Sequence, residues 1–313
     1  MNWTETLGTH RAMLAEGAVI ERLRRNPTVK LDPLIGNSAL LFDSRGRAAL
    51  AAIYREYVAI AAEHDLPLVL CTPTWRANPE RVRLASSHSC AQVNREAAAF
   101  MEEIRAAGGL FAGKIFVAGL MGCRGDAYAP REGLTDERAC LFHSSQATAL
   151  AAGGVDLLLA ATLPAIDEAV GLARAMAATA LPYVLSFVLR PSGTLLDGTA
   201  LRHAVQRIDV EVDPPPACYW ANCTHPSVFS AAMRAQCLHD PVLPKRVAGL
   251  QANASPLSPE ELDESPRVLA GDPAALADLM IGVHREFGTK ILGGCCGTDG
   301  AYIRALAAQM REI

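Results

Sequence analysis

Short, unbroken apolar runs recur along this chain, each followed by loop-forming residues and a helix-length amphipathic stretch. That alternation restricts the fold more than any other feature. The runs are LPLVLCT (66–72), KIFVAGL (114–120), VDLLLAAT (155–162), LPYVLSFVL (181–189), ACYWANC (217–223), RVAGLQAN (246–253) and TKILGG (289–294), with a weaker first candidate, GAVIE (17–21). Continuous rather than alternating apolar character is expected of parallel strands covered on both faces. Between them lie RAALAAIYREYVAIAAEH (47–64), NREAAAFMEEIRAAG (94–108), ERACLFHSSQATALAAG (137–153) and AIDEAVGLARAMAATA (165–180), several ending in glycine where a helix C-cap favours it. About eight strand–helix units across 313 residues is the arithmetic of a (β/α)8 TIM barrel. A doubly wound open sheet would alternate in the same way, but no G-x-G-x-x-G follows the first strand candidate and no composition break divides the chain. The sequence therefore predicts one α/β barrel domain over residues 1–313. A leading helical segment at 5–16 would cap the bottom, and the proline-rich, acidic stretch at 251–273 would be a long loop.

Composition narrows the class of function. Half of the residues are apolar but only 5% are aromatic, so the core is built mostly from Ala, Leu and Val. The net charge of −4 and the lack of a basic run argue against nucleic acid as a partner. The segment MNWTETLGTHRAMLAEG contains charge and glycine where a signal peptide needs an apolar run, and no stretch reaches the roughly 18 apolar residues of a spanning helix. A soluble, cytoplasmic chain without a membrane partner is expected. Nine cysteines, an odd number, then point to metal binding or catalysis rather than a disulfide framework.

In such a barrel the chemistry sits at the C-terminal ends of the strands. Those ends read Glu21; Thr72–Pro73–Thr74–Trp75–Arg76; Gly122–Cys123–Arg124–Gly125–Asp126; Thr162; Ser186; Asn222–Cys223; Asn253; and Cys295–Cys296. Three thiols, from the sixth and eighth strands, thus fall on one rim. The adjacent pair within ILGGCCGTDG (291–300) admits three readings: a vicinal disulfide, two buried thiols without chemistry, or two ligands of one metal ion. Neighbouring strand residues point to opposite faces, so both reach one ion only where the strand ends and the backbone turns. Gly293, Gly294 and Gly297 make that turn available. With Cys223 as a third sulfur, the set has the composition of a catalytic zinc site with its fourth position open. Cys71, Cys90, Cys140, Cys218 and Cys237 are read as core thiols, the usual state of free cysteine. Cys123 is a lone thiol near the rim. Ser186 has no His/Asp arrangement around it, His225 reads as an exposed loop residue, and GGCCGTDG has no lysine and is no P-loop.

The segments GGCCGTDGAYIRAL (293–306) and WANCTHP (220–226) resemble the zinc-dependent homocysteine S-methyltransferase family, which includes betaine–homocysteine methyltransferase, S-methylmethionine-dependent enzymes and the homocysteine module of cobalamin-dependent methionine synthase. Weaker similarity covers TPTWRANP (72–79), where the family has T-N-T-aromatic, and GVDLLLAATLPAIDEA (154–169), where it has E-T-x-P-x-x-x-E-A. The resemblance implies Zn²⁺ held by Cys223, Cys295 and Cys296, and methyl transfer to a thiol in methionine biosynthesis. Three thiolates leave the ion with a net charge of about −1, so an incoming thiol is deprotonated yet stays electron-rich. It can attack a methyl group on a small sulfonium or quaternary ammonium donor. Trp75 is the first candidate for an aromatic wall around that cation, ahead of Tyr219 and Trp220.

Departures from the family lie in the amino-acid pocket. Its first strand ends in Asp-Gly, for which AVIERLRR supplies Glu21 and Arg22; Ala161 replaces the glutamate of the fourth strand; Pro73 replaces the asparagine. Those two acids are the family's grip on the amino group of homocysteine. Arg76 and Arg124 on the rim suit a carboxylate, so the expected acceptor is homocysteine or a related thiol, such as one that carries an acid. Glu21, Thr74, Trp75, Arg76, Arg124, Asn222 and Asn253 are the candidate substrate-binding residues. Two rival readings remain: a regulatory zinc-binding barrel that no longer uses homocysteine, and a redox protein built on a Cys295–Cys296 disulfide. The exposed helices of a barrel leave room for a homo-oligomer.

Overall fold

Eight parallel strands close into a barrel in chain order, the last pairing back onto the first. The computed structural model describes residues 2–258, 261 and 271–313. The strands are β1 (Met13–Ala15), β2 (Leu68–Cys71), β3 (Ile115–Met121), β4 (Leu157–Leu163), β5 (Tyr183–Phe187), β6 (Cys218–Thr224), β7 (Val247–Ala252) and β8 (Ile291–Gly294). Seven of the eight coincide with the apolar runs, β3, β4 and β6 each ending one residue beyond theirs. The helices expected near 47–64, 94–108, 137–153 and 165–180 are Ser44–Glu63, Cys90–Ala107, Asp136–Ala152 and Ile166–Ala177. Among the described residues no helix is long and apolar enough to cross a membrane.

The first strand is displaced from its expected position. Residues 17–21 hold no strand; Ile20–Arg24 form a helix and β1 lies upstream. The expected helix over 5–16 is shorter and earlier, Trp3–Thr9. Its start is set by a capping box, in which Asn2 Oδ1 accepts the Glu5 N–H at 2.9 Å and Glu5 Oε2 accepts the Asn2 N–H at 3.0 Å. A strand as short as β1 is sufficient because it is paired on both sides, Leu14 to Leu68 and Leu292, and buried throughout. So short a run has too few residues for its period to be read. Of the expected proline-rich loop at 251–273, residues 259, 260 and 262–270 lie outside the described residues; 251 and 252 end β7, and 273 begins the helix Pro273–Phe287.

Both faces of the sheet are buried, as continuous apolar runs require. Leu14, Leu70, Val117, Leu158 and Leu292 pack outward against the helices. Met13, Ala15, Val69, Phe116, Leu159 and Trp220 fill the interior, and Trp3 joins this inner cluster from the N-terminal helix, which closes the bottom. Trp220 and Tyr219 are therefore core residues rather than an aromatic wall; the Tyr219 hydroxyl donates to Asp209 Oδ1 at 2.8 Å. Removing the bottom plug leaves a large cavity beneath the barrel. Trp3→Ala is expected to lower the unfolding free energy by about 3–5 kcal/mol, read as a shift of the denaturant midpoint at constant m. A shift under about 1 kcal/mol would mean that the helix does not close the core.

Candidate metal centre

The end of β6 is irregular. Its pairing with β7 shifts register between Asn222 and Thr224, and Cys223 has a φ of 48°, a left-handed conformation that non-glycine residues rarely adopt. This turn removes the Cys223 side chain from the strand's alternation. Asn222 holds it in place: Oδ1 accepts the Thr162 N–H at 2.9 Å and the Ser186 hydroxyl at 2.8 Å, while Nδ2 donates to Thr162 Oγ1 at 2.7 Å. Thr162, with a φ of 62°, marks a similar irregularity near the end of β4, where the pairing with β5 shifts register. The polar atoms of buried Asn222 are thus engaged with β4 and β5.

The next element of the site is the turn after β8. A Cβ added at Gly294 would stand 2.3 Å from Thr298 Oγ1, and Gly297 has a φ of 79°, so this turn requires glycine at both positions. The backbone is pinned from several sides. Ala252 O accepts the Cys295 N–H at 2.7 Å, and Cys296 O accepts the Ala254 N–H at 3.0 Å. Thr298 Oγ1 donates to Cys295 O at 2.7 Å and accepts the Ala18 N–H at 3.1 Å. The Glu21 carboxylate accepts the Gly297 N–H.

These two turns bring the sulfurs of Cys223, Cys295 and Cys296 within 4.8 Å of one another. Cys223 and Cys295 are joined as a disulfide, and Cys296 Sγ lies 3.9 Å from Cys223 Sγ and 4.0 Å from Cys295 Sγ. The vicinal pair is not bonded, contrary to the redox reading of Cys295–Cys296. Sulfurs in a tetrahedral site with metal–sulfur distances of about 2.3 Å stand about 3.8 Å apart. Both Cys296 separations match that spacing, and reduction of the Cys223–Cys295 bond frees the third pair to take it. The donor set fits a soft or borderline cation such as zinc. Cys296 is open to solvent, yet the surrounding mouth desolvates its thiol and, with Glu21, pushes it up to about 11, while Arg24 acts in the opposite sense. Binding a cation would therefore displace a proton from this sulfur at neutral pH.

The other candidates are distributed around the mouth. Glu21 does not end a strand; it lies in the helix Ile20–Arg24, where its carboxylate serves the cysteine turn and pairs with Arg25 at 2.6 Å. The acid that follows β1 is Glu16, with Gly17 after it. Sequence reasoning passed over this pair, although acid-glycine in LAEGA marks it once Met13–Ala15 is recognised as the strand. Glu16 is buried and accepts the Cys71 N–H at 2.7 Å; burial pushes its carboxyl up to about 8, against the effect of that hydrogen bond. Thr74 is tied to Thr72 Oγ1 and Leu120 O, each at 2.6 Å, and Asn253 Oδ1 accepts the Ser255 N–H at 3.0 Å. Trp75 Nε1 donates to Ala161 O at 3.0 Å, and the Arg76 guanidinium lies 4.9 Å from the Trp75 ring centroid. Arg124 is ion-paired with Glu80 at 2.8 Å. A second missed acid, buried Glu168, accepts the Arg124 N–H at 2.7 Å and pairs with His143 at 2.9 Å, so it holds the loop after β3. Cys123 lies outside the cage; burial first, and then Glu168, push its thiol up to about 12.

Comparison with known proteins gives both the family and the fold. The profile of the homocysteine S-methyltransferase family matches residues 13–310. The chain is 32% identical over 210 residues to homocysteine S-methyltransferase of Escherichia coli K12, an alignment that covers 63% of this chain and 64% of that protein. It is 31% identical over 176 residues to methionine synthase of Mycobacterium tuberculosis, covering 51% of this chain and 13% of that longer protein. The chain thus spans less than two thirds of the length of either relative. Among solved structures, the metallated form of the E. coli homocysteine methyltransferase MmuM superposes with a TM-score of 0.76 at 22% identity, over 97% of this chain and 98% of that one. Its oxidized form gives 0.77 at 24% identity, over 97% of each chain. These structures share the barrel. By the extent of the family match, this chain is a member of the homocysteine S-methyltransferase family.

Proposed function

We propose that this protein is a zinc-dependent S-methyltransferase that moves a methyl group from a small sulfonium or quaternary ammonium donor to a thiol, homocysteine or a close relative. The observation that carries the reading is the convergence of Cys223, Cys295 and Cys296 at the mouth of a family barrel. When bound by three thiolates, zinc supplies an open position at which a substrate thiol is deprotonated and kept nucleophilic. The chain's own residues do the rest. Asn222 fixes the turn that presents Cys223, and Glu21 and Thr298 fix the turn that presents Cys295 and Cys296. Glu16 follows β1, the strand between β8 and β2, and has no cationic partner among the described residues. It is the group suited to receive the amino end of the acceptor. Trp75, expected as an aromatic wall for a cationic donor, already carries the Arg76 guanidinium 4.9 Å from its ring centroid, so that face is taken by a cation of the chain's own. Aligning sulfur and methyl in line, away from bulk water, is the remaining task of the mouth.

The test begins with reduced protein. Metal analysis is expected to give about one zinc per chain, and methylated homocysteine should form from a panel of sulfonium and betaine-type donors. Cys223→Ser and Cys296→Ser are expected to weaken zinc binding by more than about 100-fold, the upper range for outer-shell changes, and to abolish transfer. Transfer that survives without zinc would sink the proposal.

Glu16 adds a pH signature. Its folded carboxyl titrates near 8 instead of 4.5, so its contribution to stability is complete below about pH 4.5 and is lost as pH rises through 8. Wild-type protein should therefore lose on the order of 3 kcal/mol relative to Glu16→Gln between about pH 5 and pH 8 in denaturant melts. The same variant should bind amine-bearing thiols more weakly at pH 8. Parallel stability curves for the two proteins would show that the carboxyl is not held protonated.

A further inference from the structure

One charged side chain on the rim is built into place but, among the described residues, left without a hydrogen-bond or ion-pair partner. Arg76 follows Trp75 in the loop after β2, and its guanidinium rests 4.9 Å from the indole centroid. The indole is itself anchored, since Nε1 donates to Ala161 O within β4 at 3.0 Å. The cation therefore stands on a platform that bridges the loop after β2 to β4. Among the described residues it makes no hydrogen bond or ion pair. Four other arginines of this face are occupied: Arg22 pairs with Glu56, Arg25 with Glu21 and Arg124 with Glu80, and Arg81 donates to the carbonyls of Arg124 and Gly125; Arg24 is exposed to solvent instead of being held half-buried on a ring. Asp126 acts on Arg76 only from beyond ion-pair distance, and burial together with the Arg81 and Arg24 charges disfavours the bare cation. A half-buried, immobilised guanidinium keeps its donors in a planar fork that matches a carboxylate. Ala161, at the far end of the platform, offers no competing charge.

We infer that Arg76 is a specificity-determining residue that binds a carboxylate of the methyl acceptor. The inference rests on the methyltransferase reading. Charge selects the acceptor over the donor: a sulfonium or quaternary ammonium would meet Arg76, Arg24 and Arg81 as like charges, whereas a thiol acid brings the opposite sign. The contact is a two-pronged ion pair, with the indole restricting the guanidinium before substrate arrives.

The experiment is equilibrium calorimetry on the zinc-loaded full chain. The probes are homocysteine and mercaptosuccinate, each beside the counterpart in which carboxylate is reduced to alcohol. Wild-type protein is expected to bind at least one acid about 10–100-fold more tightly than its alcohol. Arg76→Ala should erase that preference and leave the alcohol's affinity unaltered, and Arg76→Lys should recover part of it. Steady-state kinetics with carboxylate-bearing and esterified donors form the second arm. A preference that moves with the donor overturns the assignment to the acceptor, and so does one unchanged in Arg76→Ala. If none of the thiols binds zinc-loaded wild-type protein, the methyltransferase reading itself fails and the inference falls with it.

Discussion

Three sulfurs from two separate strands must meet at one point, and the backbone at Cys223 is what allows it. A regular parallel strand would leave the Cys223 side chain in the alternation of the ladder, where it could not turn toward the end of β8. The left-handed φ of 48° and the register shift against β7 release it. Such a conformation costs a non-glycine residue on the order of 1 kcal/mol, and the cost is offset by a buried network. Asn222 bonds to Thr162 and Ser186 and thereby ties the strained end of β6 to β4 and β5. The opposite side of the cage solves the same problem with glycine, at Gly294 and Gly297. One half of the site is strained and braced; the other is relaxed and pinned by hydrogen bonds.

That division explains what could be read from sequence. The barrel was legible because parallel strands covered on both faces need unbroken apolar runs, and seven of them are long enough to stand out. β1 was not, because its short segment gains its stability from two neighbours rather than from its own pattern. Missing β1 also hid Glu16, since an acid is recognised as a rim residue only when the strand before it is known. The paired cysteines were legible through their glycine frame. The brace at Asn222 was not, because an asparagine beside a cysteine does not reveal which strands its amide will reach. Ion-pair states were equally hidden: Arg76 and Arg124 look alike in the sequence, yet Glu80 neutralises one and nothing among the described residues neutralises the other.

The mouth is electrically divided as a result. On the β6–β8 side lie sulfurs that become anionic on binding a cation. Toward β1 and β2 lie a buried carboxyl, Glu16, and a guanidinium, Arg76, that is unpaired among the described residues. On the proposed reading, a thiol bearing both an amine and an acid would meet the two while its sulfur lay at the cage. On that reading the cysteines serve the chemistry and residues on other strands serve the choice of acceptor.

The most direct test of the shared focus of residues 223, 295 and 296 is X-ray absorption at the zinc edge of the reduced, zinc-loaded protein. The spectrum should fit three sulfurs at about 2.3 Å with one lighter ligand, and four sulfurs once homocysteine is added. Two or fewer sulfurs in the first spectrum, or a count that rises with neither homocysteine nor mercaptosuccinate, would contradict the account.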